Sequence, residues 1–64
     1  MGEVPTSEQV KERRAAANMT QVEAAASVYV HWRTWQQWEA GKSAMPAGLW
    51  ELYRLKTSHL MAPA

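Results

Sequence analysis

Three tryptophans, at 32, 35 and 38, fall inside the stretch Val30-His31-Trp32-Arg33-Thr34-Trp35-Gln36-Gln37-Trp38-Glu39-Ala40-Gly41-Lys42, which constrains the fold more than any other. A helix turns once every 3.6 residues, so Trp35 and Trp38 share one face. Aromatics at that spacing belong in a core. Arg33, Gln36, Gln37 and Ala40 project from the rest of the cylinder. Gly41 supplies the left-handed conformation that ends helices, and Lys42 sets a cation beside the last carbonyls. The stretch predicts a short helix over about 31–40, pinned by two tryptophans and presenting Arg, Gln and Thr outward.

The rest of the chain must cover those indoles with little material. Its 64 residues allow one domain, 1–64, and a chain this short buries only about 60% of its unfolded surface. There is no cysteine, so disulfides and thiolate zinc sites are excluded as staples, and oligomerisation becomes the expected supplement. No apolar run approaches the roughly 18 residues of a membrane span, and no signal-peptide core opens the chain; a cytoplasmic protein is expected. The formal net charge of +1 is far from that of a nonspecific nucleic-acid coater. A nucleic-acid partner would require the cations to gather on one face.

Read in order, the chain punctuates itself. Residues 1–5 show no periodicity and are expected to be a mobile tail, as are 62–64. Thr6 with Gln9 has capping-box spacing and predicts a helix starting at Ser7. Val10 and Ala17 lie on one side of it with Arg14 between them, and Asn18 closes it in the left-handed region. Thr20 with Glu23 makes a second capping box, followed by an alanine-rich helix over Gln21 to Ser27 whose small side chains admit a close neighbour. Val28-Tyr29-Val30 alternates like a strand but has no strand to pair with, which predicts a turn with both valines tucked inward. Pro46 suits the start of a fourth helix. There Leu49, Leu52, Tyr53 and Lys56 follow helical spacing with Trp50 off the stripe, and a short turn through Leu60 and Met61 ends the chain before Pro63. The expected fold is all-α: a compact four-helix domain with room for a short C-terminal turn.

A capped helix, a tight turn and a second helix with a polar outer face make the plan of a helix-turn-helix over about 20–40, suited to reading base edges in a DNA major groove. The residues Thr20-Gln21-x-Glu23-x-Ala25, then Val30, then Trp35-x-x-Trp38-Glu39-x-Gly41 resemble the Cro and lambda-repressor-like (XRE-type) family of regulators, in register from about Val10 to Leu55. The run Arg33-Thr34-Trp35-Gln36-Gln37-Trp38-Glu39-x-Gly41 with Met45-Pro46 is most similar to small regulators of phages and mobile elements, anti-CRISPR-associated repressors among them. Two positions depart from the family. Tyr29 stands where glycine is usual, and Ala24 where a large aliphatic is usual; Trp35, in place of Ile or Val, returns the bulk.

The resemblance implies base contacts from Trp32, Arg33, Gln36 and Gln37. It implies backbone contacts from Thr20, Gln21, His31, Thr34 and Lys42, with Gln21 holding a phosphate beside free helix N–H groups. Arg14 and Glu39 match a family pair that ties the first helix to the reading helix. Trp50, Tyr53 and Arg54 have no evident partner inside the chain. Their residue types are enriched at interfaces, which assigns them to a homodimer contact. Two copies would set their reading helices about 34 Å apart, on successive major grooves. The implied function is a homodimeric transcriptional repressor binding an inverted-repeat operator in double-stranded DNA. The alternative is a protein-interaction module of the same fold, such as an antitoxin masking a partner; binding to structured mRNA is a third class, which the few basic residues disfavour. No nucleophile, base and orienting group converge, and so small a core leaves no substrate pocket. His31 and His59, far apart and without cysteine, make no metal site. Neither enzyme activity, a cofactor, a small-molecule substrate nor a membrane is expected.

Overall fold

A computed structural model describes residues 3–60. Helix α1 spans Ser7–Ala16, α2 Gln21–Ser27, α3 Trp32–Ala40 and α4 Ala47–Thr57, and a single 3₁₀ turn, Ser58–Leu60, follows α4. No strand occurs among the described residues. The overall extents are 32 × 27 × 20 Å, so every helix reaches the same core. No described helix is long and apolar enough to cross a membrane.

The helix starts are set locally. Thr6 and Thr20 each accept a hydrogen bond from the backbone N–H three residues on, while Gln9 and Glu23 reach back to the two cap N–H groups. Each box satisfies two donors that a helix start otherwise leaves open. His31 caps α3 through Nδ1, which accepts the Arg33 N–H at 3.1 Å. Asn18, Tyr29 and Gly41 close α1, the α2–α3 turn and α3 in the left-handed region, with φ of 58°, 63° and 76°. Glycine adopts this conformation freely, whereas a side chain such as Tyr29 costs roughly 1 kcal/mol there.

Between α2 and α3, Val28 is buried and Val30 packs against the core, so the turn presses two valines inward and leaves Tyr29 79% exposed. Ala24 and Ala25 are buried in the same cluster as Trp35 and Trp38, where their small size admits the indoles. Val10 from α1, Met45 from the α3–α4 loop, and Trp50 and Tyr53 from α4 complete it.

Two expectations are corrected. In α4 the buried line is Trp50, Tyr53 and Thr57, with Leu49 and Leu52 half-buried at its flanks. Tyr53 is buried as its place on the expected stripe implies, but the helix is rotated so that Trp50, off that stripe, also faces inward, where an aromatic removes the most surface from water. Tyr53 meets Trp35 edge-on at 4.8 Å between ring centroids, and its hydroxyl donates to Met19 Sδ at 3.4 Å. Trp50 and Tyr53 therefore have partners within their own chain, and the reason for assigning them to a dimer contact falls away. At the other end, Pro5 is buried, so the tail expected over 1–5 docks at its last residue. Residues 1–2, Met61 and the tail expected at 62–64 lie outside the described residues.

Arg13 ties the end of α4 to α1, donating from Nη2 to the Arg54 carbonyl at 3.0 Å and from Nε to Thr57 Oγ1 at 3.3 Å. Thr57 in turn donates to the Tyr53 carbonyl at 2.7 Å. This brace closes the fourth helix over the tryptophans.

Candidate nucleic-acid interface

The geometry of α3 is fixed from below by Glu39. Its side chain is 5% exposed, and each carboxylate oxygen accepts two hydrogen bonds. Oε2 accepts from Arg14 Nε at 2.5 Å and Trp35 Nε1 at 2.6 Å; Oε1 accepts from Arg14 Nη2 and Gln21 Nε2, both at 3.1 Å. Arg14 also donates from Nη1 to the Met19 carbonyl at 3.1 Å. Burial alone would raise the Glu39 pKa, but the hydrogen bonds from Arg14, Trp35 and Gln21, with the Arg14 charge, outweigh it and hold the carboxyl below its ordinary value. Arg14 is raised in return, chiefly through its hydrogen bond to Glu39. A buried carboxylate with both oxygens bonded and a fork-shaped partner fixes orientation more surely than it adds stability. One carboxylate thereby joins α1, α2 and α3.

Above that anchor the outward side of α3 is open. Arg33, Gln36 and Gln37 are exposed and fall at i, i+3 and i+4, one row along the helix, with Ala40 extending it. Among the described residues, none of these three side chains has a hydrogen-bond partner in the protein. Trp32, 38% exposed, stands at the start of the row, its ring stacked on His31 at 5.8 Å with the Arg33 guanidinium 5.8 Å from its centroid. Trp32 is thus braced by its two chain neighbours. Thr34 is half-buried. Because His31 Nδ1 is occupied as the cap acceptor, the neutral ring carries its proton on Nε2, a donor at the exposed start of the helix. Lys42 is exposed just past Gly41.

Along the α3 segment the exposed charges have one sign. From Ser27 to Met45 the exposed charges are Arg33 and Lys42, and the single acid, Glu39, is buried and paired.

The backbone-contact candidates on α2 divide. Thr20 is exposed, and its hydroxyl accepts from the Glu23 N–H while keeping its own proton to donate. Gln21 donates from its amide nitrogen to Glu39 at 3.1 Å and is half-buried, so it also ties α2 to α3. The sequence held a signal for part of the Glu39 cluster, since Trp35 and Glu39 stand one helical turn apart. It held none for Gln21.

A second surface lies away from the α3 row. Trp50, Arg54, Leu55, Glu51, Arg13 and Glu3 line an open groove of about 560 Å³. It mixes two acids with two bases. The Arg54 guanidinium lies 5.8 Å from the Trp50 ring, and Leu55 is 68% exposed. No cluster of three or more potential metal ligands occurs among the described residues.

No protein-family model matches the chain, and no curated protein matches it in sequence.

Proposed function

We propose that this protein is a sequence-specific, double-stranded-DNA-binding transcriptional regulator of the helix-turn-helix type, with α2 and α3 as its two helices and α3 as the reading helix. One observation carries the reading. Arg33, Gln36 and Gln37 form an exposed, unpartnered row on a helix whose opposite side is locked by Trp35, Trp38 and Glu39. Arginine pairs with guanine edges and glutamine with adenine edges, and both need a rigid support to select a base. His31, Thr34, Thr20 and Lys42 flank the row as donors for phosphate oxygens, which position a protein on the duplex without reading sequence. Trp32, at the head of the row, offers an apolar surface to a thymine methyl.

The regulator works as a homodimeric repressor on an inverted repeat. With Trp50 and Tyr53 used inside the chain, Arg54 remains from the expected contact, and exposed Leu55 with the mixed-charge groove is the surface it belongs to. Such a patch can pair with a copy of itself, acid to base, across a two-fold axis. The same groove also favours a second reading, a protein-interaction module such as an antitoxin; a foreign chain that co-purifies in fixed ratio and protects Leu55 would select it.

The test is selection from a pool of randomised duplexes, followed by binding of the enriched sequence and a scrambled control. Enrichment of an inverted repeat with half-sites one helical turn apart is expected. Equal binding of enriched and scrambled duplexes overturns the proposal.

A further inference from the structure

The loop from α2 to α3 is four residues long, and its Tyr29 holds the left-handed conformation that glycine adopts without strain. Something outside the turn compensates. Lys56, in α4 and 27 residues away, places Nζ 4.2 Å from the Tyr29 ring centroid. It donates to the Tyr29 hydroxyl at 2.8 Å and to the Ser27 carbonyl at 2.8 Å. Ser27 and Tyr29 flank buried Val28, so one ammonium grips both sides of the turn. Two residues beyond Tyr29 stands His31, the cap that sets where α3 begins.

We infer that Lys56 is a positioning residue for α3: by clamping Ser27 and Tyr29 it fixes the turn from which the reading helix starts, and through it the aim of Trp32 and Arg33. This rests on the DNA-reading role proposed for α3. A cation over an aromatic face is attracted by the ring quadrupole, and the two hydrogen bonds give that attraction a direction. The hydroxyl contact also draws the Tyr29 pKa down, chiefly through the hydrogen bond from Lys56 and next through its charge. In this arrangement Tyr29 replaces the freedom of a turn glycine with a side-chain grip reached from the fourth helix.

Two readings of one variant set test it. In the free protein, amide exchange is followed at Tyr29 and Val30, whose N–H groups bond to the Ala26 and Ala25 carbonyls at 3.2 and 3.0 Å. K56M and Y29L should each speed exchange at these two amides by about tenfold relative to amides in the middle of α1, the double variant should be no faster than the faster single one, and K56R should restore most of the protection. On DNA, K56M should lower the ratio of affinities for enriched and scrambled duplexes by about tenfold, a ratio from which a lost phosphate contact cancels because it weakens both alike. Unchanged exchange, uniform acceleration throughout the chain, or additive effects in the double variant overturn the grip on the turn. An unchanged affinity ratio with accelerated exchange overturns the positioning role. Should the wild-type protein discriminate no duplex, the DNA-reading role falls and takes the positioning role with it, while the exchange data still decide the grip.

Discussion

The two sides of α3 are built on opposite rules. Its inner side is closed: Trp35 and Trp38 are buried, Trp35 donates to Glu39, and Glu39 accepts from three different residues. Its outer side leaves everything open, with Arg33, Gln36 and Gln37 facing solvent. Buried polar groups must be paired or they cost stability, whereas exposed ones can wait for a ligand. The difference means that changes on the inner side should be read in folding and changes on the outer side in binding. Each prediction below sharpens or breaks that division.

The largest effect is expected from Glu39→Ala. Removing one partner from a buried pair leaves the other uncompensated, at about 3–5 kcal/mol. A 64-residue domain has about 3–10 kcal/mol in total, so urea denaturation should show this variant stripped of a large part of its stability. A loss below about 1 kcal/mol would place the pair among surface ion pairs and break the comparison from the inner side.

The same carboxylate sets an acid limit. The Glu39 pKa is lower in the folded chain than its ordinary value, so its contribution is fully present above the unfolded pKa of about 4.3. It is lost as the pH falls through the folded value. Stability followed by tryptophan fluorescence should decline as the pH falls from about 4.3 through the folded value, and Glu39→Gln should flatten its share of the decline at the expense of stability at neutral pH. An equally steep decline in the glutamine variant would assign the acid sensitivity elsewhere.

On the outer side, Arg33→Ala should leave the urea midpoint nearly unmoved, within about 0.5 kcal/mol. It should weaken binding to the enriched duplex by about 1–3 kcal/mol and relax one base pair per half-site. A stability loss comparable with that of the inner side would mean that Arg33 packs rather than reads. Smaller still, Tyr29→Gly should relieve left-handed strain but forfeit both the cation–aromatic contact and the hydrogen bond from Lys56, so that gain and loss oppose each other. Calorimetry should therefore show a small net change in melting temperature. The mildest effect is expected from Lys42→Ala, which should weaken all duplexes alike and lower the salt slope by about 1.

What the sequence disclosed followed distance along the chain. The capping boxes at Thr6 and Thr20 and the left-handed closures at Asn18 and Gly41 act within a few residues, so pattern alone placed α1, α2 and α3. The Arg14–Glu39 pair came from the family resemblance. The inward turn of Trp50 was hidden because spacing does not rank rings against leucines, whereas Tyr53, on the expected stripe, meets Trp35 edge-on and donates its hydroxyl to Met19. Gln21 was read for its place at a helix start, and its hydrogen bond to Glu39 on another helix was beyond the reach of local pattern. Lys56 and Tyr29 meet only after folding, and nothing in either neighbourhood marks them as a pair.

The most direct test of α3 as a DNA-reading helix is a titration of isotope-labelled protein with the enriched duplex, followed residue by residue by NMR. The expected result is that the largest shifts fall on Arg33, Gln36, Gln37 and Lys42, with side-chain signals of Arg33 and Gln37 broadened or displaced and those of Glu51 and Leu55 little changed. Shifts concentrated on Glu51, Arg54 and Leu55, or none on α3 at saturating duplex, would contradict it.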